Sequence, residues 1–372
     1  MPLYGGAEIV ITKLIKGLSS KGIDAKLLTC HIPPGMEKDL RREDIILLKK
    51  EDNPLPLVWS IDLTEFTALN KWMRYHSDQY DVVNLHNHPV QFSIAAIRKP
   101  AVWTCNEPML SVVYESPEIK KTEWVVAGLI KAEKTVVRRY IKNAVVADRF
   151  NYERFLRIYG FEPDIVPYGI DYSFFAAGRK EEAYKKFNLN PDDFHILHVG
   201  MFTPLKNQKR SVECLKNLAD KIMNIKLVLV GFTDDSYFPE LMDWVKRYSI
   251  EDRVIVIPHT SREDIRNLYK ASSVLLHPVK PQGGWLAPFE AMCAGLPVVV
   301  SKEFTAATIV SEEGIGVVTD SYEDAVLNIF NNYREYWDMV DKAQRYVKEK
   351  LSWERYCERM IEIYKKTIQS FK

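Results

Sequence analysis

From about residue 190 onward, short runs of β-branched residues and leucine alternate with longer amphipathic stretches, and this alternation constrains the fold more than any other feature of the chain. The apolar runs are His195–Gly200, Lys226–Gly231, Arg253–Ile257, Ser273–His277 and Pro297–Ser301, with helices expected near 207–221, 237–248, 261–271 and 287–294. Continuously apolar strands are buried on both faces, and connections of a dozen or more residues are what parallel strands require. The second half therefore reads as one complete Rossmann-like α/β domain. The first half repeats the grammar more loosely. Its apolar runs fall at 26–29, 44–48, 81–85, 101–105 and 144–148, with helices expected at 7–20, 60–76, 90–98 and 123–142.

A length of 372 residues suits two such domains. The break is expected just after Val166-Pro-Tyr-Gly-Ile-Asp171, where Pro and Gly end one pattern. That divides the chain into 1–170, 171–345 and a closing helical segment 346–372. One feature is wrong for a complete first domain: the glycine turn Gly5-Gly6 has only four residues before it. In open α/β sheets the first strand is central. The N-terminal domain is thus expected to lack its first strand, either because the true start lies upstream or because the sheet is rearranged.

Charge is balanced, with Lys+Arg 51 and Asp+Glu 50, a net of +1, so no overall field invites nucleic acid and any anion must be held locally. Cys30, Cys105, Cys214, Cys293 and Cys357 are odd in number, scattered and without a CxxC pair. Neither a disulfide framework nor a metal site is expected, which fits a reducing, cytoplasmic compartment. No apolar run approaches the roughly 20 residues that span a bilayer, and MPLYGGAE lacks the order of a signal peptide.

The densest chemical signal is Pro278-Val-Lys-Pro-Gln-Gly-Gly-Trp-Leu-Ala-Pro-Phe-Glu-Ala-Met292, which leaves an apolar strand and enters a helix. Ligands of open α/β sheets bind at that edge. Pro288 suits a first helical turn, so the amides of Gly284, Trp285 and Leu286 would lie near the positive helix end, and Gly283 and Gly284 would let a diphosphate approach closely. Glu290 is not half of a capping box, because Ala287 three residues earlier has no side-chain oxygen. Two readings stay open: a carboxylate for ribose hydroxyls, or a first-turn acid favoured by the helix dipole beside a plain loop. Lys206, in Gly200-Met-Phe-Thr-Pro-Leu-Lys-Asn207, follows the first strand of the same domain and is either a phosphate ligand or a solvated loop lysine. Gly231 is either a turn glycine or room for a nucleotide base.

At these residues the chain resembles the retaining glycosyltransferases of family 4, which have the GT-B fold. The matching features occur in order along nearly the whole length: Gly5-Gly6-Ala7-Glu8, Asp81-Val-Val-Asn-Leu-His86, Pro167-Tyr-Gly-Ile-Asp171, Gly200 to Lys206, the 282–292 segment, Gly295-Leu-Pro-Val-Val-Val-Ser301 and Ser352-Trp353-Glu354. The resemblance implies two Rossmann-like domains facing across a cleft, with the last helix crossing back to the first domain. It implies a UDP- or GDP-sugar donor on the second domain, and a sugar, glycan or lipid-linked acceptor on the first. It further implies retention of anomeric configuration and no obligatory metal or cofactor. Carried onto this sequence, donor contacts fall on Gly6, Lys206, Gly231, Gln282, Gly283, Gly284, Trp285, Leu286 and Glu290. The acceptor side falls on Gly5, His86, Asn106 and Glu107, and catalysis on His86, Lys206 and Gln282.

Three positions depart from the pattern. Gln282 stands where the family has its first glutamate, and an amide hydrogen-bonds sugar hydroxyls without supplying charge. Met201 stands where an arginine usually joins the lysine, and Asn106 where a histidine often ends a first-domain strand. Together they raise a second possibility, a catalytically weakened nucleotide-sugar-binding protein; a nucleotide-sugar epimerase on the same fold is a third. A basic segment, Lys131, Lys134, Arg138, Arg139 and Lys142 beside Trp124, Val125, Val126, Leu129 and Ile130, reads either as a solvated helix face or as a peripheral contact at the inner membrane face.

Overall fold

The structure is a computed structural model and describes residues 6–33, 36, 39–49, 63–108, 123–232, 237–258, 260–281 and 285–371. The chain forms two compact units. One runs from Gly169 to Ser352; the other takes the chain before Gly169 together with Trp353–Lys372. The closing segment expected from residue 346 is divided at this point. A helix over Trp337–Lys350 stays with the C-terminal unit, while the last helix, Trp353–Ser370, is counted with the N-terminal one.

In the N-terminal unit, the helix Gly6–Ser20 leads into β1 (Leu27–Thr29) and β2 (Ile45–Leu47), which pair in parallel as a separate two-stranded sheet. A helix over Leu63–His76 precedes β3 (Val83–His86), β4 (Ala101–Thr104), β5 (Asn143–Val146) and β6 (Asp164–Ile165), a parallel sheet in that order. The strand that sequence logic places ahead of Gly5 would fall on residues outside the description. The 90–98 segment is not an α-helix but a 3-10 helix, Val90–Ala96. Within it Gln91 and Ser93 are buried alongside Ile94 and Ala96, and the segment gives way to extended backbone at Ile97. Trp103, Phe155 and Tyr159 pack with Leu85, Val137 and Ala144 in the core. The last helix lies against the first: a Cβ on Gly17 would strike the Cys357 sulfur.

The C-terminal unit has one six-stranded sheet, all parallel, in the order β12-β11-β10-β7-β8-β9. Its strands are β7 (Phe194–Val199), β8 (Ile225–Gly231), β9 (Val254–Pro258), β10 (Val274–His277), β11 (Val298–Val300) and β12 (Val317–Val318). Helices Gln208–Leu218, Tyr237–Arg247, Arg262–Ala271 and Leu286–Cys293 connect them. Ile196, Leu227, Leu229, Val274, Leu276 and Val299 are fully buried in one core, as expected of runs covered on both faces. Order reverses at β7, whose neighbours β8 and β10 carry the chain to opposite sides. A crevice beyond the strand ends forms at such a switch point.

Candidate active site

The C-terminal strand ends are held by backbone contacts that need particular residues. Past β7 and β8 the ladder continues, with Gly200 N donating to Val230 O at 2.9 Å and Phe202 N to Phe232 O at 2.7 Å. A Cβ on Gly231 would fall on the Gly200 carbonyl, so glycine lets the two strand ends converge. The next turn reverses at Asn207, whose φ of 60° is left-handed. Its side-chain amide donates to Pro278 O at 2.8 Å, and Lys280 N donates to Leu205 O at 2.9 Å. Ser301 Oγ donates to Val279 O at 2.6 Å. The Lys206 turn and the segment leaving β10 are thereby sewn together, with the Lys206 stem lying over Gly200. Burial, and secondarily the Lys206 charge, push the His198 imidazole down to about 3, so His198 is neutral and adds no positive charge here.

Gln282, Gly283 and Gly284 lie outside the described residues. Trp285 is buried and stacks on Phe289 with ring centroids 4.5 Å apart. It precedes the helix Leu286–Cys293, whose first turn carries no side-chain cap and no acid. The amides of that turn remain unmatched within the helix and carry its positive dipole end, an arrangement that favours an anion.

Glu290 sits one turn into this helix with its side chain only 13% exposed. Tyr269 Oη donates to Oε2 at 3.1 Å, and Arg262 Nη2 stands 4.0 Å from Oε1 and 3.4 Å from Asp171 Oδ2. Burial pushes the Glu290 carboxyl up; Arg262 and the Tyr269 hydrogen bond oppose it, and Asp171 adds to the rise. Burial and the neighbouring Glu290 push the Tyr269 phenol far up, so it stays a donor. Neither Arg262 nor Tyr269 carries a sequence signal beyond membership of an amphipathic helix, and sequence reasoning missed both.

In the N-terminal unit, β3 and β4 pair so that His86 lies opposite Thr104, which brings His86 beside the segment Cys105-Asn106-Glu107. Burial pushes the His86 imidazole down to about 4, leaving it neutral at pH 7. Asn106 Oδ1 accepts a short hydrogen bond from the Tyr168 hydroxyl. Gly6 starts the first helix, and Gly5 lies outside the description. A buried network not foreseen from sequence runs alongside. Gln91 Nε2 donates to Glu133 Oε1 at 2.6 Å and meets His88 Nδ1 at 2.7 Å, with the Glu133 side chain fully buried. The spacing of Glu133 within a basic helix hid it, because a lone acid there reads as a surface partner for its lysines. On the same helix Arg138 donates to Tyr159 O at 2.8 Å and Ile158 O at 3.3 Å, the last carbonyls of the helix Arg149–Tyr159, which Gly160 closes with a left-handed cap.

Two parallel-sheet units, with a switch point and an uncapped helix start at the strand ends of the second, define a Rossmann-type protein whose strand-end crevice suits an anionic ligand. Family models narrow this: "Glycosyltransferase Family 4" matches residues 4–174 and "Glycosyl transferases group 1" matches residues 179–363. The chain belongs to the family 4, group 1 glycosyltransferases of GT-B fold. It is similar to an uncharacterized glycosyltransferase of Methanocaldococcus jannaschii, 22% identical over 98% of this chain and 95% of that one. It also resembles the D-inositol 3-phosphate glycosyltransferase of Mycobacteroides abscessus, 28% identical over 44% of this chain and 38% of that enzyme. Among solved structures, sucrose-phosphate synthase from Thermosynechococcus elongatus superposes with a TM-score of 0.80 at 19% identity, covering 98% of this chain and 94% of that one. Anabaena HepE in complex with UDP-glucose superposes with a TM-score of 0.77 at 17% identity, covering 98% and 97%. At these identities the likeness shows the fold.

Proposed function

We propose that this glycosyltransferase moves a sugar from a nucleotide-diphosphate donor, a UDP- or GDP-sugar, to a hydroxyl of a sugar, glycan or lipid-linked acceptor, with retention and without an obligatory metal. The observation that carries the reading is the strand-end arrangement of the C-terminal unit. There the Lys206 turn is sewn to the segment that enters the uncapped helix, with the part-buried Glu290 one turn further in. The UDP-glucose complex of a protein with the same fold supports the donor class.

In transfer with retention, negative charge grows on the departing diphosphate while the anomeric carbon becomes cationic in character. Lys206 and the amides of Trp285 and Leu286 are the donors for that charge, and Glu290 accepts the ribose hydroxyls. Gln282, with Gly283 and Gly284, is assigned to the donor sugar and diphosphate. On the other unit a neutral His86 takes the acceptor hydroxyl, with Asn106 and Glu107 lining its approach. The exposed Lys131, Arg139 and Lys142 fit a peripheral membrane contact at the cytoplasmic face, one that a lipid-linked acceptor would use. Arg138, engaged with two backbone carbonyls, contributes less.

A thermal-shift series with UDP- and GDP-sugars tests the reading, since a ligand bound to the native state raises its melting temperature. Glu290→Ala and Lys206→Ala are each expected to remove most of the shift, while His86→Ala keeps the shift and lowers transfer. Unchanged nucleotide binding in both of the first two would remove the site assignment. Nucleotide binding with no sugar released from any donor, even after Gln282→Glu, would favour a catalytically weakened binding protein. Conversion of donor alone, without acceptor, would favour an epimerase.

A further inference from the structure

Arg262 is the residue around which the candidate ribose carboxylate is organised. Its guanidinium lies 3.4 Å from Asp171 and 4.0 Å from Glu290, with its carbon 5.4 Å from the ring centroids of both Phe174 and Phe175. Two aromatic faces and two carboxylates therefore fix one planar cation. We propose that Arg262 is a positioning residue for nucleotide recognition: by standing between Glu290 and Asp171 it keeps Glu290 ionised and its free edge turned to the ribose. This rests on the donor reading given above, and it assigns Arg262 no contact with the nucleotide.

The chemistry needs such a residue. A carboxylate takes hydrogen bonds from two vicinal hydroxyls only as the anion, because its protonated form turns one oxygen into a donor. Glu290 is buried, and Asp171 places a second negative charge nearby; both favour the protonated form. From the helix Arg262–Ala271, Arg262 opposes them with charge and Tyr269 with a hydrogen bond to Oε2. Among the described residues Cys293, on Glu290's own helix, also faces this point, its thiol pushed up first by burial and then by Glu290. It is neutral near pH 7. Arg262 is thus the cation the described structure places against Glu290, and Asp171 competes for it.

The test is nucleoside diphosphate affinity as a function of pH, measured by titration calorimetry with UDP and GDP on the full chain and four variants. Arg262→Gln is expected to weaken binding about tenfold at pH 7 and to give an affinity that falls more steeply than the parent's as pH drops from 8 to 6. Arg262→Lys keeps the charge and is expected to restore the parent's profile. Asp171→Asn removes the competing acid and is expected to bind within twofold of the parent or tighter; if Arg262 served only to anchor the Asp171 segment, Asp171→Asn would weaken binding as much as Arg262→Gln. Glu290→Ala separates the two levels. If it leaves affinity unchanged, the donor site itself is misassigned. If it abolishes binding while Arg262→Gln changes neither affinity nor pH profile, the role of Arg262 alone is overturned. Should Arg262→Gln fail to fold, the Asp171→Asn and Arg262→Lys profiles still decide.

Discussion

In the C-terminal unit β7 and β8 pair through six residues, Phe194–Val199 against Ile225–Val230, and every residue of β10 and β11 is buried. Among the described residues of the N-terminal unit, strand pairings reach at most four residues, Val83–His86 against Ala101–Thr104, and the strands fall into two separate sheets. The polar interior differs too. In the N-terminal unit Gln91, Glu133, Asp148, Asn151 and Arg154 are nearly inaccessible, and Gln91 bonds to Glu133; in the C-terminal unit the buried polar groups on the strands include the histidines His195, His198 and His277, set among aliphatic neighbours. A unit that grips a nucleotide gains from rigid strand ends, because small displacements of a charged ligand group cost much of its binding. A unit whose polar groups support one another in a network can change its recognition surface by altering a few of them.

That contrast can be broken in several ways. The largest effect is expected at Trp103, fully buried with Phe155 and Tyr159 around it. Trp103→Ala should cost about 3–5 kcal/mol of stability, read by denaturant unfolding, yet leave nucleotide affinity unchanged below the transition. A parallel loss of affinity would mean that the units do not divide the work as stated.

In the C-terminal unit the pair that ties two helices is Arg210–Glu323, bidentate at 2.6 and 2.7 Å. Burial raises the Glu323 carboxyl, but the Arg210 hydrogen bonds outweigh it and bring it down to about 2. Glu323→Ala should cost about 2 kcal/mol. The sign follows from the depressed value: this stabilisation is fully present above the unfolded carboxyl value of about 4.3 and is lost as pH falls through about 2. Acid titration of the parent and of Glu323→Ala should therefore draw together below about pH 4.3 and converge only as pH reaches about 2.

A smaller effect is expected at Asp264, which closes a capping box with Ser261 and accepts from Lys186 at 2.7 Å. Asp264→Ala should cost about 1 kcal/mol. Because the helix it caps also carries Arg262, a modest loss of nucleotide affinity should accompany it. Met223, 90% exposed, is the control: Met223→Gln should change stability by less than about 0.5 kcal/mol.

The same contrast governs how much could be read from the residues alone. His195–Gly200 and Ser273–His277 are apolar enough to be strands and nothing else, and β7 and β10 occupy Phe194–Val199 and Val274–His277. The punctuation that ended those runs, Gly200, Lys206, Gly231 and the glycines before Trp285, pointed to the strand-end site. What composition and period could not show was the support around it. Arg262, Tyr269 and Asp171 meet Glu290 only because the helix Arg262–Ala271 packs beside the helix Leu286–Cys293, a fact of tertiary structure. In the N-terminal unit Val90–Ala96 was open to misreading as an α-helix, since the burial of Gln91 rests on a hydrogen bond to a distant Glu133.

The most direct test of the central claim is a crystal structure of the protein soaked with UDP or GDP. The account predicts the ribose hydroxyls within hydrogen-bonding distance of the Glu290 carboxylate, and the diphosphate between Lys206 Nζ and the amides that open the helix at Leu286. A nucleotide lodged at the ends of β3 and β4, or anywhere that leaves Glu290 held only by Tyr269 and Arg262, would contradict it.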